Sequence, residues 1–341
     1  LPTTYSQAGV SIDEGERLVE LIKRPVRSTF TKGVIGDIGG FGALFDARFR
    51  KYKSPVLVSS VDGVGTKLRV AQLAGRHNTI GQDLVNHCVN DILTCGARPL
   101  FFLDYFATGR LNADVASQVV GGFVRACREN GCSLIGGETA EMPGFYQDND
   151  YDVAGTIVGV VERKRIMTGE GISKGNVIIG LPSTGLHTNG YSLARSVLLK
   201  VYAHDTFVDE LGTTVGDALL AVHRSYLHII SSLLKRFDIR GLAHITGGGL
   251  EGNTVRIVPR GLAPKVDWEA WERPALFRLI QRLGEVPEED MRRTFNLGIG
   301  FVIVAGRKSV DRIVSYLLKK GERPVVVGEI VRKGKKRKEG K

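Results

Sequence analysis

Val56-Leu57-Val58-Ser59-Ser60-Val61-Asp62-Gly63-Val64-Gly65-Thr66-Lys67-Leu68 is the stretch on which the reading of this chain turns. Its apolar, β-branched part (Val56, Leu57, Val58, Val61) predicts a buried strand. The strand empties into Asp62–Lys67, and Leu68–Ala74 predicts the helix that follows. Gly63 and Gly65 permit a tight turn and close approach of backbone N–H groups to a ligand. A carboxylate, a hydroxyl and an ammonium stand together there, the parts that hold a metal–phosphate group where a helix begins. The spacing is not that of the nucleotide P-loop, Gly-x-x-x-x-Gly-Lys-Ser/Thr. A plain strand–turn–helix junction with a capping Asp accounts for the same residues.

Working outward, Ile12–Lys23 has the apolar spacing of an amphipathic helix. Thr29–Leu44 carries glycines at 33, 36, 39, 40 and 42, which predicts a loop that buries little: a linker, or a lid that orders over phosphates. Downstream, Thr79–Ala97 predicts a helix with Leu84, Val85, Cys88, Ile92 and Cys95 on one side. Asp83, His87, Asn90, Asp91 and Thr94 gather on the other. That face lacks the Lys, Arg and Glu of an ordinary solvated surface, and short oxygen acceptors suit a hard divalent cation. Asp83 and Asp91 lie two turns apart, about 12 Å, too far to share one ion unaided. Pro99–Thr108 predicts a strand whose lone acid, Asp104, sits among aromatics, costly unless paired or metal-bound. Ala113–Asn130 predicts a helix, Ser133–Glu141 a strand running into Gly136, Gly137 and Glu138, and Val153–Val161 an apolar strand. Asp62, Asp83, Asp91, Asp104 and Glu138 thus fall at strand ends or on one helix face.

Thr168–Asn176 marks a junction, giving domains over residues 1–170 and 171–331 and a basic tail over 332–341. In the second domain, strand Val177–Leu181 leads into Ser183-Thr-Gly-Leu-His-Thr-Asn-Gly190 and a helix from Tyr191, a setting suited to an anionic ligand. Gly216–Phe237 predicts one long helix. Leu242–Ile245 ends in Thr246-Gly247-Gly248-Gly249; residues 247–252 satisfy G-x-G-x-x-G, but no acid follows about 20 residues on and Leu250–Asn253 is no obvious helix opening, so phosphate cradling fits better than a dinucleotide. Helices near Pro274–Leu283 and Ser309–Lys319 and strands Leu297–Ala305 and Val325–Val331 complete the pattern.

Of the net charge of +11, residues 332–341 supply +6, seven Lys/Arg against one Glu. A terminal basic run without aromatics reads as a solvated, disordered tail, so no nucleic-acid partner is expected. Cys88, Cys95, Cys127 and Cys132 have no zinc spacing and read as reduced thiols of a cytoplasmic protein. There is neither a signal-peptide pattern nor an apolar run of membrane-helix length.

Taken in order, Gly36-Asp-Ile-Gly-Gly-Phe-Gly42, Asp62-Gly-Val-Gly-Thr-Lys67, Val89-Asn-Asp-Ile92, Phe101-Phe-Leu-Asp-Tyr105, Gly136-Gly-Glu-Thr-Ala-Glu-Met-Pro-Gly144, Tyr151-Asp-Val-Ala-Gly155, His187-Thr-Asn-Gly-Tyr-Ser192, His244-Ile-Thr-Gly-Gly-Gly249 and Arg293-Thr-Phe-Asn296 resemble the phosphoribosylformylglycinamidine cyclo-ligase (aminoimidazole ribonucleotide synthetase) family over roughly residues 5–330. That resemblance implies ATP-driven ring closure of formylglycinamidine ribonucleotide. The formamide oxygen is activated by the γ-phosphate, the amidine nitrogen attacks, and phosphate leaves. It implies an α/β (α+β type) fold of two domains, the N-terminal sheet pairing across a homodimer into a barrel-like sheet with ATP near that interface. It assigns Asp62, Asp83, Asp91, Asp104 and Glu138 to Mg²⁺. ATP or its phosphates fall to Gly36, Gly39, Gly40, Gly42, Asp62, Gly63, Thr66, Lys67, Asn90, Gly136, Gly137 and Glu138. The ribonucleotide falls to His187, Thr188, Asn189, Thr246, Gly247, Gly248 and Gly249. Lys67, His187 and Asp104 are the expected catalytic groups. Related selenophosphate synthetases carry a Cys in the early glycine loop, and hydrogenase-maturation relatives end in a reactive Cys; this chain has neither.

Overall fold

The computed structural model describes residues 9–334, in two main sheets built from consecutive halves of the chain, with a small two-stranded pairing beside each. The first half runs α1 (Ile12–Arg27), β1 (Val34–Ile35), β2 (Leu44–Phe45), β3 (Pro55–Gly63), α2 (Lys67–Ala74), α3 (Ile80–Thr94), β4 (Arg98–Thr108), α4 (Ala113–Asn130), β5 (Ser133–Glu141) and β6 (Tyr151–Glu162). Capping starts two of these helices: Ser11 accepts from the Glu14 N–H, and Asn112 from those of Asp114 and Val115. The strands lie in the order β3-β6-β4-β5, β6 antiparallel to both neighbours and β4 parallel to β5. One face is closed by α3 and α4, where Leu84, Cys88, Phe102 and Phe123 are fully buried. The other face is open, with Leu57 60% and Val61 68% exposed. The strand expected to be buried is therefore only half-buried, and on one side, because the pleat sends alternate side chains to opposite faces.

The second half runs β7 (Val177–Pro182), α5 (Tyr191–Val201), β8 (Phe207–Val208), β9 (Thr213–Thr214), α6 (Val215–Leu220), α7 (Leu227–Leu234), β10 (Ile239–His244), α8 (Gly249–Val255), β11 (Leu262–Val266), α9 (Ala275–Gly284), α10 (Glu288–Thr294), β12 (Ile299–Ala305), α11 (Val310–Lys319) and β13 (Val325–Arg332). Five of its strands, in the order β10-β12-β7-β13-β11, form one sheet that is antiparallel throughout, and β8 pairs with β9 apart from it. Both faces are covered. Ile179, Leu181, Phe301 and Ile303 pack into the main core, while the alternate residues Ile178, Val302 and Val304 pack into a second apolar cluster. The two halves meet where α3 lies against β10 and α2 against α6.

Three expectations need correction. The single helix over Gly216–Phe237 is two helices, α6 and α7, separated by an irregular strip at 221–226. A short helix, α8, does open at Gly249, where none was expected. The basic tail begins inside a strand, Arg332 pairing with Leu262, and residues 335–341 lie outside the described residues. All four cysteines are free thiols. Among the described residues no helix is long and apolar enough to cross a membrane.

Candidate active site

The polar face of α3 is not a wet face. Asp83, Asn86, His87 and Asn90 are buried, covered by the irregular strip of the second half. Lys67, at the first turn of α2, makes an ion pair with Asp83 at 2.8 Å, and both side chains are completely buried. Burial pushes the Lys67 ammonium down and the Asp83 carboxyl up, each drawn back by its partner. The pair also grips the other half of the chain. Lys67 Nζ donates to the carbonyl of Ala221 at 2.8 Å, and the His223 N–H donates to Asp83 at 2.8 Å.

The same helix holds the rest of the strip. Asn86 donates to the His223 carbonyl at 2.7 Å, and Asn90 donates to the Arg224 carbonyl while accepting from the Tyr226 N–H, both at 2.9 Å. Backbone groups satisfied this way have no need of helical partners. That is why the helix expected across 216–237 breaks, and the break is what brings His223 inward.

His223 is the middle of a chain of contacts between two carboxylates. Asp62 Oδ2 lies 2.8 Å from His87 Nε2, and His87 Nδ1 lies 2.7 Å from Thr188 Oγ1. Thr188 Oγ1 is 3.4 Å from His223 Nδ1, and His223 Nε2 is 3.0 Å from His244 Nε2. His244 Nδ1 is 2.8 Å from Asp91 Oδ1. Each of these five links needs one hydrogen, whereas three neutral imidazoles and one hydroxyl supply four. The chain is complete only when it carries one extra proton, on His87, His223 or His244, and burial holds His223 well below the ordinary imidazole range. Electrostatics favours His87: burial works against its charged form, but the Asp62 hydrogen bond and the Asp91 and Asp62 charges prevail, and its pKa is raised. Burial lowers His244, the Asp91 hydrogen bond offsetting it only in part. Asp62 and Asp91 also resist ionisation through burial, yet the hydrogen bonds from His87 and His244 hold both below the ordinary carboxylate range.

Asp62, His87, Asp91 and His244 line a cleft of about 510 Å³ between the sheets, together with Ser60, Thr246 and Arg256. Asp62 accepts from the Gly63 N–H at 2.7 Å and Asp91 from Ser60 Oγ at 3.0 Å. Each oxygen therefore keeps a lone pair, and two ionised acids facing one cleft suit a hard cation, with the imidazoles fixing their orientation.

The other expected site residues divide. Asp83 and Lys67 are consumed by their ion pair, and Asn90 by the strip; none of the three is among the groups lining the cleft. His187 is 1% exposed, adopts φ 60°, stacks on His223 with ring centroids 3.9 Å apart, and accepts from the Thr184 N–H through Nε2. Burial holds it neutral and away from the cleft, so the cleft histidines are His87 and His244 instead. Asp62 and Asp104 both lie opposite Gly155, in one row on the helix-covered face. They stand two strands apart, about 10 Å. Asp104 has no side-chain partner among the described residues, and burial pushes it up to about 7. Glu138 pairs with Tyr105, one position along, and so points to the opposite, open face. Gly36, Gly39, Gly40 and Gly42 belong to an exposed loop next to β2, whose Phe45 packs on Phe101. Gly136 and Gly137 lie on β5; a Cβ at Gly137 would collide with the Asp104 carboxylate.

The expected substrate loops do meet, the Gly247 N–H donating to Asn189 Oδ1 at 3.0 Å. Gly248 and Gly249 have φ of 98° and 68°, and a side chain at Gly249 would strike the Arg292 carbonyl, so both positions require glycine. His223 and the role of His244 escaped sequence reasoning. His244 stood in a quoted motif, but nothing in a helical pattern marks His223.

Residues 46–161 match the model of the AIR synthase related protein, N-terminal domain, and residues 173–341 that of the C-terminal domain. Over 97% of this chain, and 96% of the relative, the sequence is 49% identical to a phosphoribosylformylglycinamidine cyclo-ligase of Alkaliphilus metalliredigens (strain QYMF). It is 52% identical to one of Sorangium cellulosum (strain So ce56), over 98% of this chain and 97% of that protein. A crystal structure of hydrogenase maturation protein HypE in complex with ATP superposes with a TM-score of 0.63 at 17% identity, covering 94% of this chain and 87% of that one, a likeness of fold.

Proposed function

The chain belongs to the phosphoribosylformylglycinamidine cyclo-ligase family, and on that premise we propose that it closes formylglycinamidine ribonucleotide to 5-aminoimidazole ribonucleotide in the cleft between its sheets. ATP supplies the driving force, leaving as ADP and phosphate, in de novo purine biosynthesis. The observation that carries the placement is the hydrogen-bonded run from Asp62 through His87, Thr188, His223 and His244 to Asp91. Ring closure requires that the amidine nitrogen lose a proton as it bonds to the activated formyl carbon. An imidazole within hydrogen-bond reach takes such a proton, and an ordered chain passes it on. His244 is oriented by Asp91, and His223 and Thr188 connect it to His87, so a proton taken up along the run is shared between the two cleft histidines.

Asp62 and Asp91 are the acids that hold Mg²⁺. Bound there, the ion neutralises charge on the transferred phosphoryl group. Asp83 and Lys67 act behind them by fixing the strip that carries His223. ATP reaches the cleft from the side of the glycine loop (Gly36–Gly42), Gly136 and Gly137, while Glu138 stands on the open face. The open face of the first sheet, with Leu57, Val61 and Tyr105, pairs with a second copy into a barrel-like homodimer, since apolar surface of this kind favours burial. Four free thiols support a cytoplasmic setting.

The test is ADP release, coupled to an optical readout, with formylglycinamidine ribonucleotide and Mg-ATP. Turnover that depends on the ribonucleotide is expected. ATP hydrolysis indifferent to it would remove the cyclo-ligase reading.

A further inference from the structure

Two imidazoles and a carboxylate meet on one wall of the cleft. A donor atom of each of His87, His244 and Asp91 lies within 4.8 Å of the others, and all three residues line the cleft. His244 Nδ1 stands 2.8 Å from Asp91 Oδ1, and His87 Nε2 stands 3.8 Å from Asp91 Oδ2. Donors held about 2.1 Å from one ion stand roughly 3.0–3.5 Å from each other, so these separations straddle the spacing that a single ion imposes. The two ring centroids are 4.9 Å apart with the planes at 76°, a crossing that lets in-plane lone pairs point to a common place. Both rings are buried, and each is tied through its other nitrogen, His87 to Thr188 and His244 to His223. Ties of that kind orient an imidazole whose free nitrogen binds a metal.

A second group of three donors, His187, His223 and His244, is buried throughout. There His187 and His223 stack with centroids 3.9 Å apart and planes at 15°, and His187 Nε2 already accepts from the Thr184 N–H. Lone pairs of stacked rings run side by side and do not converge on an ion. The hydrogen inventory separately favours the cleft group. The run from Asp62 to Asp91 needs five hydrogens and owns four. An ion on His87 Nε2 and His244 Nδ1 replaces both outer links. Each of the three inner links is then served by a neutral imidazole. His87 Nδ1 and His223 Nδ1 donate to Thr188 Oγ1, and His244 Nε2 donates to His223 Nε2. The deficit is gone.

We propose that His87, His244 and Asp91 form a binding site for a first-row transition dication such as Zn²⁺ or Mn²⁺. Imidazole nitrogen suits these ions, and two histidines with one carboxylate are a set they take, whereas Mg²⁺ favours oxygen. Asp91 is also assigned to Mg²⁺ above, so the two cations compete for it. The site rests on the geometry of the three side chains and not on the cyclo-ligase reading.

The test begins with protein stripped by EDTA and desalted. It is titrated calorimetrically with the chlorides of Zn²⁺ and Mg²⁺, and Mn²⁺-loaded protein is read by pulsed EPR for directly coordinated nitrogen. Wild type is expected to bind one Zn²⁺ at least about 100-fold more tightly than Mg²⁺, and the Mn²⁺ spectrum to show coordinated nitrogen. His87→Gln and His244→Gln should each weaken Zn²⁺ binding at least about 10-fold, the lower bound for losing even an outer partner of a metal site. The EPR arm reads wild type alone, so it decides the matter where a variant fails to fold. Zn²⁺ bound equally by wild type and both variants, or Mn²⁺ bound without coordinated nitrogen, overturns the site. Weakened Zn²⁺ binding in His187→Gln but in neither cleft variant moves the ion to the stacked rings and overturns it as well. No substrate enters these measurements. A wild type that binds Zn²⁺ through these residues but releases no ADP with the ribonucleotide would strike the cyclo-ligase reading and leave the site standing.

Discussion

Replacing Lys67 by Met removes one charge from a pair whose members are both inaccessible to water. Met fills a similar volume, so the packing loss is small and the consequence is electrostatic. Asp83 would remain buried with its cation gone, one oxygen still accepting from the His223 N–H and the other without a partner. The Ala221 carbonyl would lose its donor as well. Breaking a buried pair from one side costs about 3–5 kcal/mol, because an uncompensated charge is left behind. At roughly 2–4 °C per kcal/mol for domains of this size, the melting temperature should fall by about 6–20 °C. The control is Lys67→Met combined with Asp83→Leu. Removing both charges costs less than the sum of the single changes, and a coupling of at least about 2 kcal/mol is expected in a double-mutant cycle read from urea unfolding. If Lys67→Met lowers stability by less than about 1 kcal/mol, or the two changes simply add, the pair does not clamp the strip at 221–226 as described.

Asp62→Asn should lower ribonucleotide-dependent ADP release at least about 100-fold, the loss expected when a charge aimed at the transition state is removed; turnover near wild type would displace Asp62 from the metal site. For Asp104, the folded pKa of about 7 lies above the ordinary 3.8, so its contribution to stability is present at low pH and lost as pH rises toward 7. Asp104→Asn escapes that loss and should be more stable than wild type by about 1–3 kcal/mol at pH 8, a margin that grows between pH 4 and pH 7; a margin independent of pH in chemical denaturation would contradict the burial of this carboxylate. Leu57→Asp on the open sheet face should shift sedimentation from a dimer to a monomer, and an unaltered dimer would move the interface elsewhere.

The periodicities and turn residues of the sequence were enough for most elements, because each such signal is local: capped helices such as α4, strands such as β4 and β5, and the strand–turn–helix around Asp62. The ordered motifs were enough for the family, since a run such as Gly136–Gly144 specifies more than any one glycine loop. Which acids share a cleft was not legible. Asp62 and Asp91 converge while Asp104 stands two strands away and Glu138 faces the other side, and strand order and pleat direction depend on partners far along the chain. The strip at 221–226 is the sharpest case. Its sequence favours helix, yet Lys67, Asp83, Asn86 and Asn90 claim its backbone from more than a hundred residues away and deliver His223 to the histidine chain. Local preference is worth only tenths of a kcal/mol per residue, and buried polar groups that demand partners outweigh it.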